Sequence, residues 1–300
     1  MSEFDVVILT ESRYENPTQI NDYIKNVLTE DSILQKALED LGLVVIRKDW
    51  ADPEFNWANT KCAVFRSTWD YFDRFSEFKS WLERVEPLTT FVNPISQIKW
   101  NMDKWYLQDL SNRNINTVET RYISSGETKS LDSLINETGW KEVILKPTIA
   151  GAARHTYRVN IQTISEYEDI FRELISNEDM MLQPFQYNIM KKGEISFMVI
   201  GGKFTHAVLK KGKEGDFRVQ DDFGGTLHEY HPSNEEIRFS EEVVLAYEPL
   251  PAYARVDAMW DNNGNLAVSE VEMIEPELWF RRNENAAQKL AEVIAERINY

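Results

Sequence analysis

The sequence holds a single cysteine, Cys62, in 300 residues, which excludes an intramolecular disulfide framework and a zinc site built on several thiolates. It is short of positive charge: 33 Lys and Arg stand against 50 Asp and Glu, a formal net charge of −17. That balance argues against nucleic acid or an anionic membrane as a general partner, because both select basic faces. An anionic small ligand would need a site that gathers the minority of positive side chains. Long apolar runs are missing as well; Val6–Leu9 and Val268–Ile274, the latter broken by two Glu, are far too short to span a bilayer. The start, MSEFDVVILT, has neither the basic nor the extended apolar region of a secretory signal, so a soluble cytoplasmic protein is the expectation. The four histidines, His155, His206, His228 and His231, lack the pairing of a catalytic zinc site. Neither a Walker A sequence nor a dinucleotide-binding glycine fingerprint occurs.

What is present is an ordinary globular composition, 42% hydrophobic and 28% charged, on a chain long enough for two or three modules. The first part alternates strand-like and helix-like segments. Phe4–Thr10, Leu43–Arg47 and Cys62–Phe65 read as buried strands, and Ser32–Leu41 and Arg74–Val85 as helices, with Gly42 a stop signal. This order predicts a small parallel sheet, ended by Asn93–Pro94. From Ile95 a second module is expected, with helices over Asp103–Asn112 and Ile164–Ile175 and strands near Asn116–Ile123 and Glu142–Lys146. After Leu182–Phe185 hairpin signals dominate, at Gly201-Gly202 and Asn263-Gly264, and Asn283–Ile298 carries one apolar helical stripe. The expected division is therefore 1–94, 95–184 and 185–300. Cys62 reads as a small buried strand residue rather than a nucleophile, and the nine tryptophans as packing residues.

A two-residue turn at Asn263-Gly264 places Asp257 opposite Glu270 and Arg255 opposite Glu272, with all four on one face. The other face receives Ala254, Val256, Ala258, Ser269, Val271 and Met273 as a buried layer. Opposed carboxylates, their Cβ atoms roughly 5 Å apart, repel unless a cation sits between them. A hard divalent ion such as Mg²⁺ would turn that repulsion into a binding site. The same spacing also suits a solvated acidic face paired by Arg255. Arg66-Ser67-Thr68-Trp69-Asp70-Tyr71 follows a predicted strand, where ligand loops are common. Arg66 or Tyr71 could meet a substrate carboxylate there; the alternative is helix capping by Asp70 and packing by Trp69.

These residues resemble the ATP-grasp superfamily, in which an Asp on one strand and a Glu-x-Asn on the next hold two Mg²⁺ between ATP phosphates. The strings Arg255-Val256-Asp257 and Glu270-Val271-Glu272 match that pattern, with Glu272 in place of the Asn. Lys104 resembles the first nucleotide-binding lysine and Lys146, in Val143–Pro147, the second. Gln183-Pro184-Phe185-Gln186 resembles the hinge at which backbone groups meet the adenine edge. Glu194 stands where relatives place a ribose-binding carboxylate, and Arg218 in the loop that presents Arg to the transferring phosphate. The closest branch by this resemblance is the O-ureido-serine cyclo-ligases of cycloserine biosynthesis with the glutathione-synthetase-like ligases. The phosphate-covering loop, Thr148–Arg154, has only one glycine, Gly151, where relatives have several; Gly151 is the residue expected to accept positive φ, with Arg154 compensating as a phosphate partner.

The resemblance implies an α+β ATP-grasp fold, two α+β lobes clasping ATP, preceded by an α/β pre-ATP-grasp domain. It implies ligation through an acyl phosphate, with catalytic roles for Arg218, Arg255 and Lys210. ATP would be bound by Lys104, Lys146, Arg154, Gln183, Pro184, Phe185 and Glu194, and two Mg²⁺, or Mn²⁺, by Asp257, Glu270 and Glu272. Arg66, Trp69, Asp70 and Tyr71 would face the acceptor. The partners implied are a small carboxylate and an amine, and a homodimer is open by analogy. A small-molecule kinase or a non-catalytic nucleotide-binding protein on the same fold are the competing classes.

Overall fold

Three sheets organise the chain; the structure, a computed structural model, describes residues 2–151, 153–220 and 223–298. The first sheet is parallel, in the order β2-β1-β3-β4, from β1 (Phe4–Thr10), β2 (Val45–Asp49), β3 (Thr60–Ser67) and β4 (Thr90–Val92). The middles of its central strands, Val6–Leu9 and Cys62–Phe65, are apolar because both faces are covered. After the short α1 (Ser12–Glu15), α2 (Asp22–Asp40) covers Val6, Ile8 and Val64, while α3 (Phe75–Val85) covers Val7, Leu9 and Phe65. Helix α2 begins ten residues before the expected start, capped by Asn21, whose side chain accepts from the Ile24 amide. The buried face of that added stretch carries Glu30 and Asp31, two acids that mask the apolar periodicity.

The expected helix over 103–112 begins later, at Tyr106, and a helix that was not expected precedes it after Pro94. Helix α4 (Ile95–Asn101) and α5 (Tyr106–Asn112) flank a short connection that carries Lys104. The second sheet, antiparallel in the order β5-β8-β6-β7, is built from β5 (Arg121–Ile123), β6 (Glu142–Pro147), β7 (Tyr157–Asn160) and β8 (Met180–Pro184). Helices α6 (Leu131–Thr138) and α7 (Ile164–Ile175) bury their apolar stripes against it.

The third sheet, antiparallel in the order β11-β10-β9-β12-β13, follows the single turn α8 (Ile189–Lys192). It contains β9 (Glu194–Ile200), β10 (Lys203–Lys211), β11 (Thr226–Tyr230), β12 (Tyr253–Trp260) and β13 (Leu266–Glu272), with α9 (Asn234–Leu245) packed on one face. The last helix, α10 (Glu284–Ile298), returns to the first sheet, where Leu290 and Ile294 pack with Leu34 and Leu38 of α2.

The β12–β13 hairpin reaches its predicted pairs by an unpredicted route. Trp260 pairs with Leu266, so the connection is a five-residue loop, Asp261–Asn265, closed by the Asp261 amide on the Asn265 carbonyl (2.8 Å). The register then shifts beside Asp257, restoring Asp257↔Glu270 and Arg255↔Glu272. Ser269 is the bulged residue. It does not join the buried layer as expected; its hydroxyl lines the cavity described below.

One side chain clasps the first sheet to the third. Asn93, at φ 59°, donates to the carbonyls of Tyr253 and Met273 (both 2.8 Å) and accepts from the Ala252 amide (2.7 Å). Asn tolerates the left-handed region better than most side chains. The buried Tyr253 hydroxyl adds contacts to the carbonyls of Ile274 (2.8 Å) and Phe65 (3.2 Å).

Candidate active site

A cavity of about 570 Å³ opens between the three sheets, a size suited to a small-molecule ligand. Its floor is the β9–β12–β13 surface. Asp257 is almost fully buried, with both oxygens engaged: Arg255 donates from Nε and Nη2 (2.9 Å each), Lys210 from 3.1 Å and the Ser196 hydroxyl from 2.6 Å. Burial alone would raise this carboxyl, yet Arg255 and Lys210 win and hold it well below the usual carboxylate range. Lys210 also pairs with Glu194 (2.7 Å), whose second oxygen accepts from Ser269 (2.7 Å). Burial pulls the Lys210 ammonium down, but Asp257 and Glu194 outweigh it and keep it above its ordinary value. Glu272 pairs with Arg255 and Glu270 with Lys104 (2.9 Å). Burial, with the like charges of Glu270 and Asp257, pushes the Glu272 carboxyl up against the pull of Arg255.

A divalent ion with phosphate oxygens fits this donor set. Among the described residues no three metal-ligating side chains gather into a cage of their own. Mg²⁺ normally uses one or two carboxylates and completes its shell with water and phosphate. Glu270 and Glu272 keep 30% and 24% of their side-chain surface open, against 4% for Asp257, so they are the carboxylates with room for a ligand.

Above this floor the cavity is lined by Lys104, Lys146 and Arg218. Lys104 is fixed from both ends, its amide on the Thr148 carbonyl (2.9 Å) and its ammonium on Ala150 O. Lys146 makes no ion pair among the described residues, and burial lowers its ammonium's pKa. Arg218 is held by Asp216 (2.7 Å) and lies 3.8 Å over the Phe223 ring. The hinge presents Gln183, Pro184 and Phe185 as side chains; its backbone is largely engaged. The Phe185 amide donates to Glu142 O, its carbonyl accepts from Asn262, and Pro184 O accepts from Gln186 Nε2 (2.8 Å). A carbonyl has two lone pairs, so Pro184 O retains room for one more donor.

The phosphate-covering loop differs from expectation twice. Positive φ falls on Ala153 (57°) and His155 (48°), not on Gly151. Gly151 instead sits close to the Phe72 ring: a Cβ there would stand 2.6 Å from it, so the ring or the loop would have to shift. Arg154, expected as a phosphate partner, makes a bidentate pair with Glu178 (2.8 and 3.0 Å) and is not among the residues that line the cavity. Ala152 lies outside the described residues.

Of the four acceptor-side candidates, Trp69 alone lines the cavity, fixed by its indole N–H on the Glu275 carbonyl (2.9 Å). Arg66 is 3% exposed and donates to Pro276 O (2.9 Å). Tyr71 is buried against the Glu275 carboxylate. Asp70 accepts from Trp50 Nε1 (2.8 Å) and Arg74 (2.6 Å) and does not cap α3. These three brace the loop from behind. Missed beforehand were Glu275, Glu277 and Trp279, and on the first sheet's side Tyr14, Tyr23 and Phe72, all of which line the cavity. Burial beside Glu272 pushes the Glu275 carboxyl up to about 8. Nearness in sequence to Glu270 and Glu272 was a signal for the first group; in the second, Phe72 directly follows the Arg66–Tyr71 string, while Tyr14 and Tyr23 had no such signal.

Cys62 is a buried strand residue whose thiol burial pushes up to about 12. His206 is structural, bonded to Leu278 O (3.0 Å) and Thr205.

Comparison with known proteins places this arrangement. Residues 6–93 match the family described as D-cycloserine synthetase DcsG, N-terminal domain. The cycloserine biosynthesis protein DcsG of Streptomyces lavendulae is 26% identical, the match covering 88% of this chain and 92% of that protein. The crystal structure of D-cycloserine synthetase DcsG superposes with a TM-score of 0.86 at 22% identity, covering 98% of this chain and 99% of the other. D-alanine–D-alanine ligase from Bacillus anthracis gives 0.67 at 16% identity, over 99% and 97% of the two chains. The chain has the ATP-grasp fold, and over nearly its whole length it is a close match to D-cycloserine synthetase and to ATP-grasp ligases such as D-alanine–D-alanine ligase.

Proposed function

We propose that this protein is an ATP- and magnesium-dependent ligase that joins a carboxylate to an amine on a small amino-acid-like substrate. Residues 1–94 would supply the acceptor side, 95–184 and 185–300 the two lobes around ATP. The observation that carries this reading is the convergence, in one cavity, of Lys104, Lys146, Lys210, Arg218 and Arg255 on the carboxylates of Asp257, Glu270 and Glu272.

In the first step a substrate carboxylate oxygen attacks the γ-phosphorus of ATP and ADP leaves. In the second an amine nitrogen attacks the acyl carbon, phosphate leaves and the nitrogen gives up a proton. Both steps need alignment and charge neutralisation more than covalent help from the protein. Lys104 and Lys146 would hold nucleotide phosphates. Lys210 would do so as well by exchanging a carboxylate partner for a phosphate oxygen. Arg218, once free of Asp216, and Arg255 offer forks that hold two oxygens of the transferring group. Glu270 and Glu272, with Asp257 behind them, would hold two magnesium ions, which neutralise phosphate charge when bound. Glu194 would reach the ribose, and the apolar wall at Phe185 the adenine.

The acceptor lies on the Trp69 side. No helix among the described residues is long and apolar enough to cross a membrane, and we place the enzyme in the cytoplasm. The decisive experiment is a phosphate-release screen over amino acids and amines with product masses recorded. A ligase releases phosphate and yields a condensed product lighter by one water. A product heavier by one phosphoryl group would make the protein a kinase, and ATP binding without turnover on any substrate a binding protein.

A further inference from the structure

We propose that Phe72 is a positioning residue for ATP: its ring, carried by the acceptor-side loop, seats the phosphate-covering loop at Gly151. The proposal rests on the reading of the cavity as an ATP site. Phe72, Ala150 and Gly151 all line that cavity, so the contact is made at its wall. The ring edge occupies the space that any side chain at 151 would need, with three ring carbons between 2.6 and 3.2 Å from an added Cβ. Phe72 is itself set by the buried Tyr71 ring, edge-on at 5.6 Å. One residue on, Asp73 approaches Arg154 at 3.9 Å, a second contact between the same two loops.

Other contacts among the described residues hold the two ends of the phosphate-covering loop. At its base Thr148 bonds Asp179 and Lys104, and at its far side Arg154 is held by Glu178. The Ala150 carbonyl accepts from the Lys104 ammonium, which also grips Glu270. A shift of Gly151 is therefore felt one residue away by a cation and a carboxylate of the ATP site. Trp69 stands three residues before Phe72 on the same loop, so one loop lines the acceptor wall and meets the phosphate cover. In a loop with a single glycine, the tight turn is provided by Ala153 and His155, and the glycine is kept for this close approach.

The test is a double-mutant cycle on the full chain, read as the affinity for magnesium-ATP by calorimetry and as KM for ATP. Phe72→Ala and Gly151→Ala should each weaken binding about tenfold, and the double variant no more than either alone, as contacting residues behave. Phe72→Leu, which keeps apolar bulk, should restore most of the affinity. A purely structural role would lower the melting temperature of the nucleotide-free chain and leave affinity for ATP unchanged, which would overturn the proposal. Losses that multiply to about a hundredfold in the double variant would overturn it too. If the unaltered chain does not bind magnesium-ATP, the reading of the cavity fails first and this proposal with it.

Discussion

Of the three carboxylates on β12 and β13, Asp257 is the most crowded and Glu270 and Glu272 the more open, so substitutions there separate structure from chemistry. Glu272→Asn keeps an oxygen donor and leaves Arg255 its bidentate hold on Asp257. It should retain phosphate release within about tenfold of the unaltered chain, whereas Glu270→Gln should lose on the order of 100-fold. Both are checked by phosphate release at varied magnesium. Asp257→Asn is a harsher change: it leaves Arg255 and Lys210 buried without their shared anion, which costs about 3–5 kcal/mol of stability as well as turnover. Its melting temperature and its activity should fall together. At this scale the shared face of Asp257, Glu270 and Glu272 was legible because strand alternation is rigid: residues two apart share a face whatever the loop does. The phosphate loop was not, since the reason for Gly151 lies about eighty residues away at Phe72, and no local pattern encodes a long-range contact.

At the scale of elements, the joints between sheets are made by buried side chains bonding backbone, which local propensity does not reveal. Asn93 reads in sequence as a turn before Pro94; in the fold it satisfies three backbone groups of the third sheet at once. Asn93→Ala should cost at least about 2 kcal/mol, because those groups lose their partner in a dry setting. Asn93→Gly, which relieves the positive φ but not the lost bonds, should recover only a fraction. Denaturant melts of the three proteins check this. Tyr253 makes a companion joint, and burial pushes its hydroxyl well above its ordinary value near 10. A proton held more tightly in the folded chain favours folding fully below the unfolded value and is lost as pH rises past it. Stability should therefore decline above about pH 10, and less steeply in Tyr253→Phe. The hairpin shows the opposite case: the loop was misjudged, yet the bulge at Ser269 returned the pairs to their predicted places. A burial face with Val256, Val271 and Met273 leaves no other register open to Asp257.

At the scale of the molecule, apolar order along the chain predicted the parallel sheet and the hairpin-rich end, because each is a local periodicity. What periodicity cannot show is which layers meet. The core beneath β1 and β3 is shared between α2 and α10, residues separated by some 250 positions. A fragment ending at residue 94 should consequently show weak, non-cooperative melting by circular dichroism, and its sheet should melt at a higher temperature in the full chain, where α10 covers α2.

The same shared core bears on how the polypeptide is made. During synthesis the apolar side of α2 waits for its cover until α10 has been made, since Leu34 and Leu38 precede Leu290 and Ile294 by some 250 residues. Until α10 docks, Leu34 and Leu38 would stand uncovered on the nascent chain, an apolar surface of the kind that invites association before folding is complete.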